Sequence, residues 1–167
     1  MAAGMLAAHV PPSAEAIVRS AGVTDVGHQP AHPLAVATMA EYGVDIRDHR
    51  SHQMTPADLE DADLVLTMEP WHVREAVVMA PTTYPHTYAL KEIIQRASSV
   101  GPRDPRDAAA AWTTRLHQGR CARDLLRDEP TSVVEDPTGE PLRVFRVVAS
   151  EIGSLIEQLS GLVWPRR

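Results

Sequence analysis

A cysteine and an arginine six positions apart are the first residues in the sequence whose types and spacing could do chemistry together. Cys121 and Arg127 satisfy a Cys-x5-Arg pattern, in which a thiolate attacks phosphorus while backbone N–H groups and the arginine hold the phosphate. Such a cradle requires small, turn-permitting residues after a strand, so that several N–H groups converge. The five intervening residues contain no glycine and include Asp124, whose carboxylate would repel a phosphate. We therefore interpret the pattern as accidental and predict that Cys121 is not a nucleophile.

An Asp-Pro pair near the C-terminus is a second place where a functional group could lie. The segment from Glu135 to Gly139 reads Glu-Asp-Pro-Thr-Gly, with Asp136 directly before Pro137. Asp-Pro is a common turn pair, because proline fixes its own φ and aspartate bonds its local backbone. The dipeptide alone favours a surface turn, so a chemical role for Asp136 depends on its context.

The eight histidines do not form a metal-binding pattern. His28 and His32 are four residues apart, but Pro30 lies between them and prevents a shared helix face. The sequence contains neither His-Glu-x-x-His nor Cys-x-x-Cys. We expect no metal and no other cofactor.

Composition limits the kinds of partner. The chain has 167 residues, a net charge of −6 and a pI of about 5.7, which argue against broad electrostatic capture of nucleic acid or of an anionic membrane. There is no apolar run of about 20 residues that could cross a bilayer and no signal-peptide pattern at the N-terminus. A single cysteine fits a reducing compartment, so a cytoplasmic location is expected.

The elements that would position these residues alternate between helix and strand. Strands are predicted at 16–20, 63–68 and 87–90, and helices at 1–8, from Pro33 to Gly43, from Thr55, at 70–79, at 108–127 and from Leu142 to the C-terminus. The run at 63–68 is almost continuously apolar, as in a strand buried on both faces. The alternation predicts one α/β domain over residues 1–167, with helices on a mostly parallel sheet. The six arginines between 103 and 127 are interleaved with aspartates and predict a solvated helix face.

Five segments in order along the chain resemble the low-molecular-weight protein-tyrosine phosphatase family. They are Ser-Ala-Gly at 20–22, Pro-Ala-His-Pro-Leu-Ala-Val at 30–36, Gly-Val-Asp-Ile at 43–46 followed by Asp-His-Arg-Ser at 48–51, Ala-Asp-Leu-Val-Leu-Thr-Met-Glu at 62–69, and Glu-Asp-Pro-Thr-Gly at 135–139. The resemblance implies a three-layer α/β/α fold of the phosphotyrosine phosphatase I type. It also implies hydrolysis of a phosphomonoester, such as a phosphotyrosine protein, through a cysteinyl-phosphate.

By this resemblance, three residues take roles in the family's site. Asp136 corresponds to the general acid, which protonates the leaving oxygen and later activates water. Ser20 and His49 correspond to residues that brace the phosphate-binding loop by hydrogen bonds. Thr138 stands where the better-known tyrosine phosphatases of the family have an aromatic residue, which weakens the expectation of a phosphotyrosine preference.

The nucleophile is the part of the pattern that the sequence does not match. In the family, a first strand and the Cys-x5-Arg loop directly precede a segment similar to residues 1–6. We expect a domain that is truncated at its N-terminus and is inactive as given. A misplaced start would make the natural protein an active cysteine phosphatase or a related thiol-dependent arsenate reductase. Alternatively, the chain is a non-catalytic pseudophosphatase that binds a protein partner, which completes the sheet with its own strand.

Overall fold

The structure, a computed structural model, describes residues 1–24, 26–126 and 130–165. Its helices and strands are, in chain order, α1 Ala2–His9, α2 Pro33–Glu41, α3 Pro56–Glu60, β1 Val65–Thr67, α4 Pro70–Met79, β2 Thr87–Ala89, α5 Leu90–Val100, α6 Ala109–His117 and α7 Leu142–Val163. Short 3-10 turns span Pro81–His86, Ala122–Leu126 and Pro130–Ser132.

The two strands form a parallel pair, which confirms the predicted α/β class with a parallel sheet. Val65, Leu66 and Thr67 of β1 lie opposite Thr87, Tyr88 and Ala89 of β2. β2 is fully buried, whereas all three residues of β1 are only partly buried. The difference shows that β1 has less cover than β2.

Helices cover both faces of this sheet. Successive strand residues point to opposite faces, and Tyr88 packs in a cluster with Ile152 and Ile156 of α7. The next residue, Ala89, packs with Val73 and Val77 of α4 on the other face. The helix α7 also contacts α1, α2 and α5. The chain therefore has a helix–sheet–helix arrangement, with its main core between the sheet and α7.

Local sequence signals explain where several elements begin. The ring of His32 accepts a hydrogen bond from the backbone N–H of Leu34, and Pro33 occupies the first turn of α2. Thr55 and Asp58 form a capping box at the start of α3, where the sequence predicts a helix from Thr55. Proline also opens α4, as its sequence predicts, and the apolar spacing predicted for the C-terminal helix gives the buried face of α7.

Two predicted elements are wrong in the structure. Residues 16–20 are not a strand, because among the described residues no strand pairs with them to complete a ladder. The helix expected at 108–127 ends at His117, and Gly119 then takes a positive φ of 80° that an α-helix does not tolerate. The end of that predicted helix, Arg127, lies outside the described residues.

The predicted solvated arginine face is wrong for Arg120. Its side chain is only 2% exposed and lies between the rings of Tyr84 and Tyr88, with the guanidinium carbon 4.3 and 4.1 Å from the two ring centroids. The sequence around Arg120 gave no sign of the two aromatic rings, which come from residues more than thirty positions away.

Candidate functional site

Ser20 and His49, predicted to work together, do lie on the same cleft. The cleft has a volume of about 400 Å³ and lies between α1 and the segments that contain these two residues. Gly4 and Ala7 of α1 contribute part of its wall, and small side chains there leave the space open. The two residues are far apart in sequence, so the fold itself brings them to one place.

The polar groups of Ser20 and His49 are exposed and available. Within the described parts of the chain, neither the Ser20 hydroxyl nor the His49 ring makes a hydrogen bond. Asp45, on the same cleft, is held by Arg47 at 2.6–3.0 Å, and these hydrogen bonds lower the pKa of the Asp45 carboxyl to about 2. Ser20 and His49 can therefore donate or accept hydrogen bonds to a segment that enters the cleft.

Asp136 lies apart from this cleft, on a turn beside the end of β1. The backbone N–H of Val134 donates a 2.8 Å hydrogen bond to the carbonyl of Met68, which fixes the start of the turn next to the carboxyl end of β1. One carboxylate oxygen of Asp136 accepts a 2.9 Å hydrogen bond from the backbone N–H of Thr138, while Pro137 is buried. The Asp136 side chain is therefore exposed on a turn that hydrogen bonds hold both before Asp136, at Val134, and after it, at Thr138.

Trp71 and His72 lie near the Asp136 turn and were not singled out together by the sequence. Their ring centroids are 3.9 Å apart with a 36° tilt, at the first turn of α4. Burial lowers the pKa of His72, and the carboxylates of Glu69, Asp136 and Glu75 act in the opposite direction. Only their position in the sequence could have pointed to these two residues, because both follow the strand predicted at 63–68 by a few residues.

The surroundings of Cys121 do not resemble a phosphate cradle. Cys121 is exposed, and its backbone N–H is already bound to the Asp124 carboxylate at 2.8 Å. The carbonyl of Cys121 accepts a hydrogen bond from the Tyr84 hydroxyl at 3.0 Å. The residues that follow form a 3-10 turn, which does not aim several N–H groups at one point.

In the described parts of the chain there is no group of three or more His, Cys, Asp or Glu residues placed to hold a metal ion. No helix among the described residues has the length and apolarity to cross a bilayer.

Comparison with known proteins identifies the family. The family model described as low molecular weight phosphotyrosine protein phosphatase matches residues 1–115, a range that includes Ser20 and His49 and ends before Asp136. The probable low molecular weight protein-tyrosine-phosphatase EpsP of Ralstonia solanacearum is 34% identical over 93 residues, which cover 50% of this chain and 64% of that protein. The chain thus spans less than two thirds of this relative's length.

Solved structures show the same fold. The low molecular weight protein tyrosine phosphatase from T. tengcongensis is 29% identical, with a TM-score of 0.68, and the match covers 95% of this chain and 86% of that one. The YwlE arginine phosphatase from Geobacillus stearothermophilus also matches with a TM-score of 0.68, at 24% identity, over 95% of this chain and 80% of that one. The chain belongs to the low-molecular-weight phosphotyrosine protein phosphatase family.

Proposed function

We propose that this chain supplies the scaffold and the general acid for hydrolysis of a phosphomonoester through a cysteinyl-phosphate. The observation that carries the proposal is the Asp136 turn, which holds an exposed carboxyl group beside the carboxyl end of a parallel strand. Functional loops of α/β proteins gather at this end of the sheet. The nucleophile in this proposal is a cysteine other than Cys121, on a Cys-x5-Arg loop that forms a phosphate cradle, since Cys121 has none around it.

Each of the three site residues has a defined task in this reaction. Asp136 donates a proton to the leaving oxygen as the cysteine thiolate attacks phosphorus, and its carboxylate then takes a proton from the water that releases phosphate. Ser20 and His49 offer free hydrogen-bonding groups to the phosphate-binding loop from their shared cleft. Holding that loop in shape keeps its N–H groups aimed at the developing charge.

The proposed substrate is a phosphorylated protein in the cytoplasm, with phosphotyrosine as the first choice. The family description and the curated relatives favour phosphotyrosine. Thr138 offers no aromatic face to a phenyl ring, so small phosphate esters and phosphoarginine belong in the same panel of test substrates. Reduction of arsenate by a thiol is the remaining alternative for the same scaffold.

Substitution of Asp136 tests the role of this residue. In protein isolated from its own cells, we expect Asp136→Asn to slow hydrolysis of an alkyl phosphate ester by about 10²–10⁴-fold, because the amide cannot donate a proton to a poor leaving group. Rates with the variant and the parent protein are compared under single-turnover conditions, so that the first chemical step is measured.

Two matched variants accompany this experiment. Glu140→Gln removes one charge from the same exposed turn and is expected to leave the rate unchanged. Cys121→Ser is likewise expected to have no effect, since Cys121 has no phosphate cradle around it. Equal rates for Asp136→Asn and Glu140→Gln would remove Asp136 from the mechanism, and loss of activity in Cys121→Ser would make that cysteine the nucleophile.

A second candidate function, binding of a protein partner without catalysis, is favoured by the exposure of the sheet. Leu64, Leu66 and Met68 pack against the main core and yet are only partly buried, and Ile17 in the segment 16–20 is 81% exposed. A partner that inserted an extended strand beside β1 would cover these side chains. It could also pair the N–H groups of residues 17–20, which have no partner in the part of the chain that the structure describes.

Isolation of the protein from its own cells separates the two functions. A polypeptide whose intact mass exceeds that of the 167 residues, with a Cys-x5-Arg loop ahead of Met1 and phosphatase activity, supports the hydrolase. A 167-residue polypeptide that co-purifies in a stoichiometric complex and shows no turnover supports the partner-binding function and overturns the first proposal.

A further inference from the structure

Lys91, in the first turn of α5, is the only lysine in the 167-residue sequence and contacts the segment that leads to Asp136. Its Nζ donates a 2.5 Å hydrogen bond to the backbone carbonyl of Val133, three residues before Asp136. The same Nζ lies 2.6 Å from a carboxylate oxygen of Glu151 on α7. One ammonium group therefore holds a carbonyl and a carboxylate at the same time, which a compact charge with three donors can do.

A second contact holds the other end of the same peptide group. The backbone N–H of Val134 donates to the Met68 carbonyl at 2.8 Å, and the Val134 side chain is buried in the main core. The carbonyl of Val133 and the N–H of Val134 belong to one planar unit, because the peptide bond does not rotate freely. Lys91 and Met68 thus hold opposite ends of a rigid group that lies just before the Asp136 turn.

The ion pair also connects the chain on both sides of the Asp136 turn. Lys91 holds the chain where it enters the turn, and Glu151 lies on α7, the helix that follows the turn. The Lys91 side chain is 25% exposed, so solvent screens its charge only in part. The ammonium group therefore links the entry of the turn to the element into which the turn leads.

We propose that Lys91 is a positioning residue for Asp136. Its ammonium group fixes the orientation of the peptide group between Val133 and Val134, and thereby the direction in which the Asp136 carboxyl group points. This inference rests on the proposed function for its catalytic meaning, because that direction matters to a reaction only if Asp136 transfers a proton. The contact itself belongs to the 167-residue chain and is present with or without turnover.

NMR spectroscopy of the 167-residue chain tests the contact directly. Because the chain has one lysine, labelling with isotope-enriched lysine gives signals from Lys91 alone. We expect Glu151→Gln to shift the signals of the Lys91 ε-methylene group, whereas Glu157→Gln, which removes a charge from the same helix, should leave them unchanged. In Lys91→Met, the amide of Val134 should exchange with solvent about tenfold faster, since its hydrogen bond to Met68 is then held less firmly.

Arg146→Met is the matched control for the loss of the ion pair. Arg146 also joins α7 to a carboxylate on another element, Glu41 of α2, at 2.7 Å. Its removal does not touch the Asp136 turn, so the Val134 amide should exchange at the parent rate. Glu151→Gln, which removes one of the two partners of Lys91, should speed that exchange less than Lys91→Met does.

Kinetics of the protein isolated from its own cells test the effect on proton transfer. A dinitrophenolate leaves phosphorus without a proton, whereas an alkoxide requires one, so only an alkyl ester reports the position of Asp136. We expect Lys91→Met to slow single-turnover cleavage of an alkyl phosphate by about 10–100-fold and to leave cleavage of dinitrophenyl phosphate nearly unchanged. In Asp136→Asn the same change should have no further effect, because no proton donor remains to be positioned.

The two measurements separate a failure of this inference from a failure of the proposed function. An unchanged exchange rate of the Val134 amide in Lys91→Met would overturn the positioning role. Equal losses of rate with both esters would also overturn it, since Lys91 would then support only the fold. If Asp136→Asn cleaved both esters at the parent rate, the proposed function would fail, yet faster exchange in Lys91→Met would still establish Lys91 as the residue that fixes the turn.

Discussion

At the scale of single residues, Arg120 joins the segment after α6 to β2 and to the turn before β2. Its Nη1 and Nη2 donate to the carbonyls of Tyr84 and Thr87 at 2.8 and 2.9 Å. Its Nε lies 3.0 Å from a Glu92 carboxylate oxygen, close enough for an ion pair although the N–H does not point at that oxygen. The aromatic rings on both sides of the guanidinium exclude water from these contacts.

Arg120→Ala is therefore expected to destabilise the protein strongly. The change leaves buried carbonyls without donors and removes one cation from Glu92, and breaking a buried ion pair in this way costs about 3–5 kcal/mol. Arg120→Lys should restore little of the loss, because an ammonium group cannot make the same two-sided contacts with carbonyls and rings. The measurement is the free energy of unfolding in urea.

The matched control is Arg106→Ala, which removes an arginine from an exposed pair with Asp104. Solvent screens that pair, so the free energy of unfolding should stay close to that of the parent chain. Similar losses for Arg106→Ala and Arg120→Ala would show that burial of Arg120 contributes nothing.

At the scale of elements, the sequence predicted what depends on neighbours in the chain and failed where partners are distant. Proline at the start of α2 and α4, and the Thr55 cap of α3, are local signals and gave the right positions. The segment 16–20 has strand-forming residues, but a strand also requires a second strand to bond with, and propensity cannot supply it. Ser20 and His49 came from resemblance, and only the fold could show that they share a cleft.

The helix α5 was missed although it carries a clear periodic signal. Leu90, Ile93 and Ala97 are buried and spaced three and four residues apart, as on one face of a helix. The helix begins directly after the last residue of β2, with no polar capping side chain to mark the change from strand to helix. The strand predicted at 87–90 took in Leu90, the first residue of this helix, and no element was predicted for the rest of α5.

The capping box of α3 gives the prediction at this scale. Thr55 Oγ1 accepts from the N–H of Asp58, and the Asp58 carboxylate accepts from the Thr55 backbone and hydroxyl and contacts the His52 ring at 2.8 Å. We expect Thr55→Ala to lower the free energy of unfolding by about 1 kcal/mol at neutral pH. In contrast, Thr114→Ala, in the interior of α6, should have little effect, because alanine has the better helix propensity there.

The effect of Thr55→Ala should depend on pH in a defined direction. The hydrogen bond from the Thr55 side chain, followed by that to His52, lowers the pKa of Asp58 from its ordinary 3.8. A carboxyl group with a lowered pKa stabilises the fold above the pH at which it titrates when unfolded, and this contribution is lost as the pH falls through the folded-state pKa. The difference in the free energy of unfolding between Thr55→Ala and the parent chain should therefore shrink below pH 3.8. A difference that grew in acid would contradict the stabilising role of the capping box.

At the scale of the whole molecule, the core is well covered on the side of α7 and poorly covered along β1. Tyr88, Ile93 and Ile156 are at most 1% exposed, whereas the residues of β1 are only partly buried. Residues 17–20 run beside the cleft, and none of their N–H groups has a hydrogen-bond partner in the described parts of the chain. One additional strand between them could cover β1 and pair the N–H groups of residues 17–20.

Amide hydrogen exchange tests whether these groups are free in the chain and paired in the cell-derived protein. In the 167-residue chain we expect residues 17–20 to exchange almost as fast as an unfolded peptide, because exchange is slowed by hydrogen bonding and burial. The buried face of α7, from Ile152 to Leu159, serves as an internal reference that should exchange slowly. In the protein isolated from its cells, protection should appear together in residues 17–20 and in β1, whether the added strand comes from the same polypeptide or from a partner. If residues 17–20 of the 167-residue chain exchanged as slowly as α7, their N–H groups would already be hydrogen-bonded. No strand would then remain to be added beside them, which would contradict this prediction.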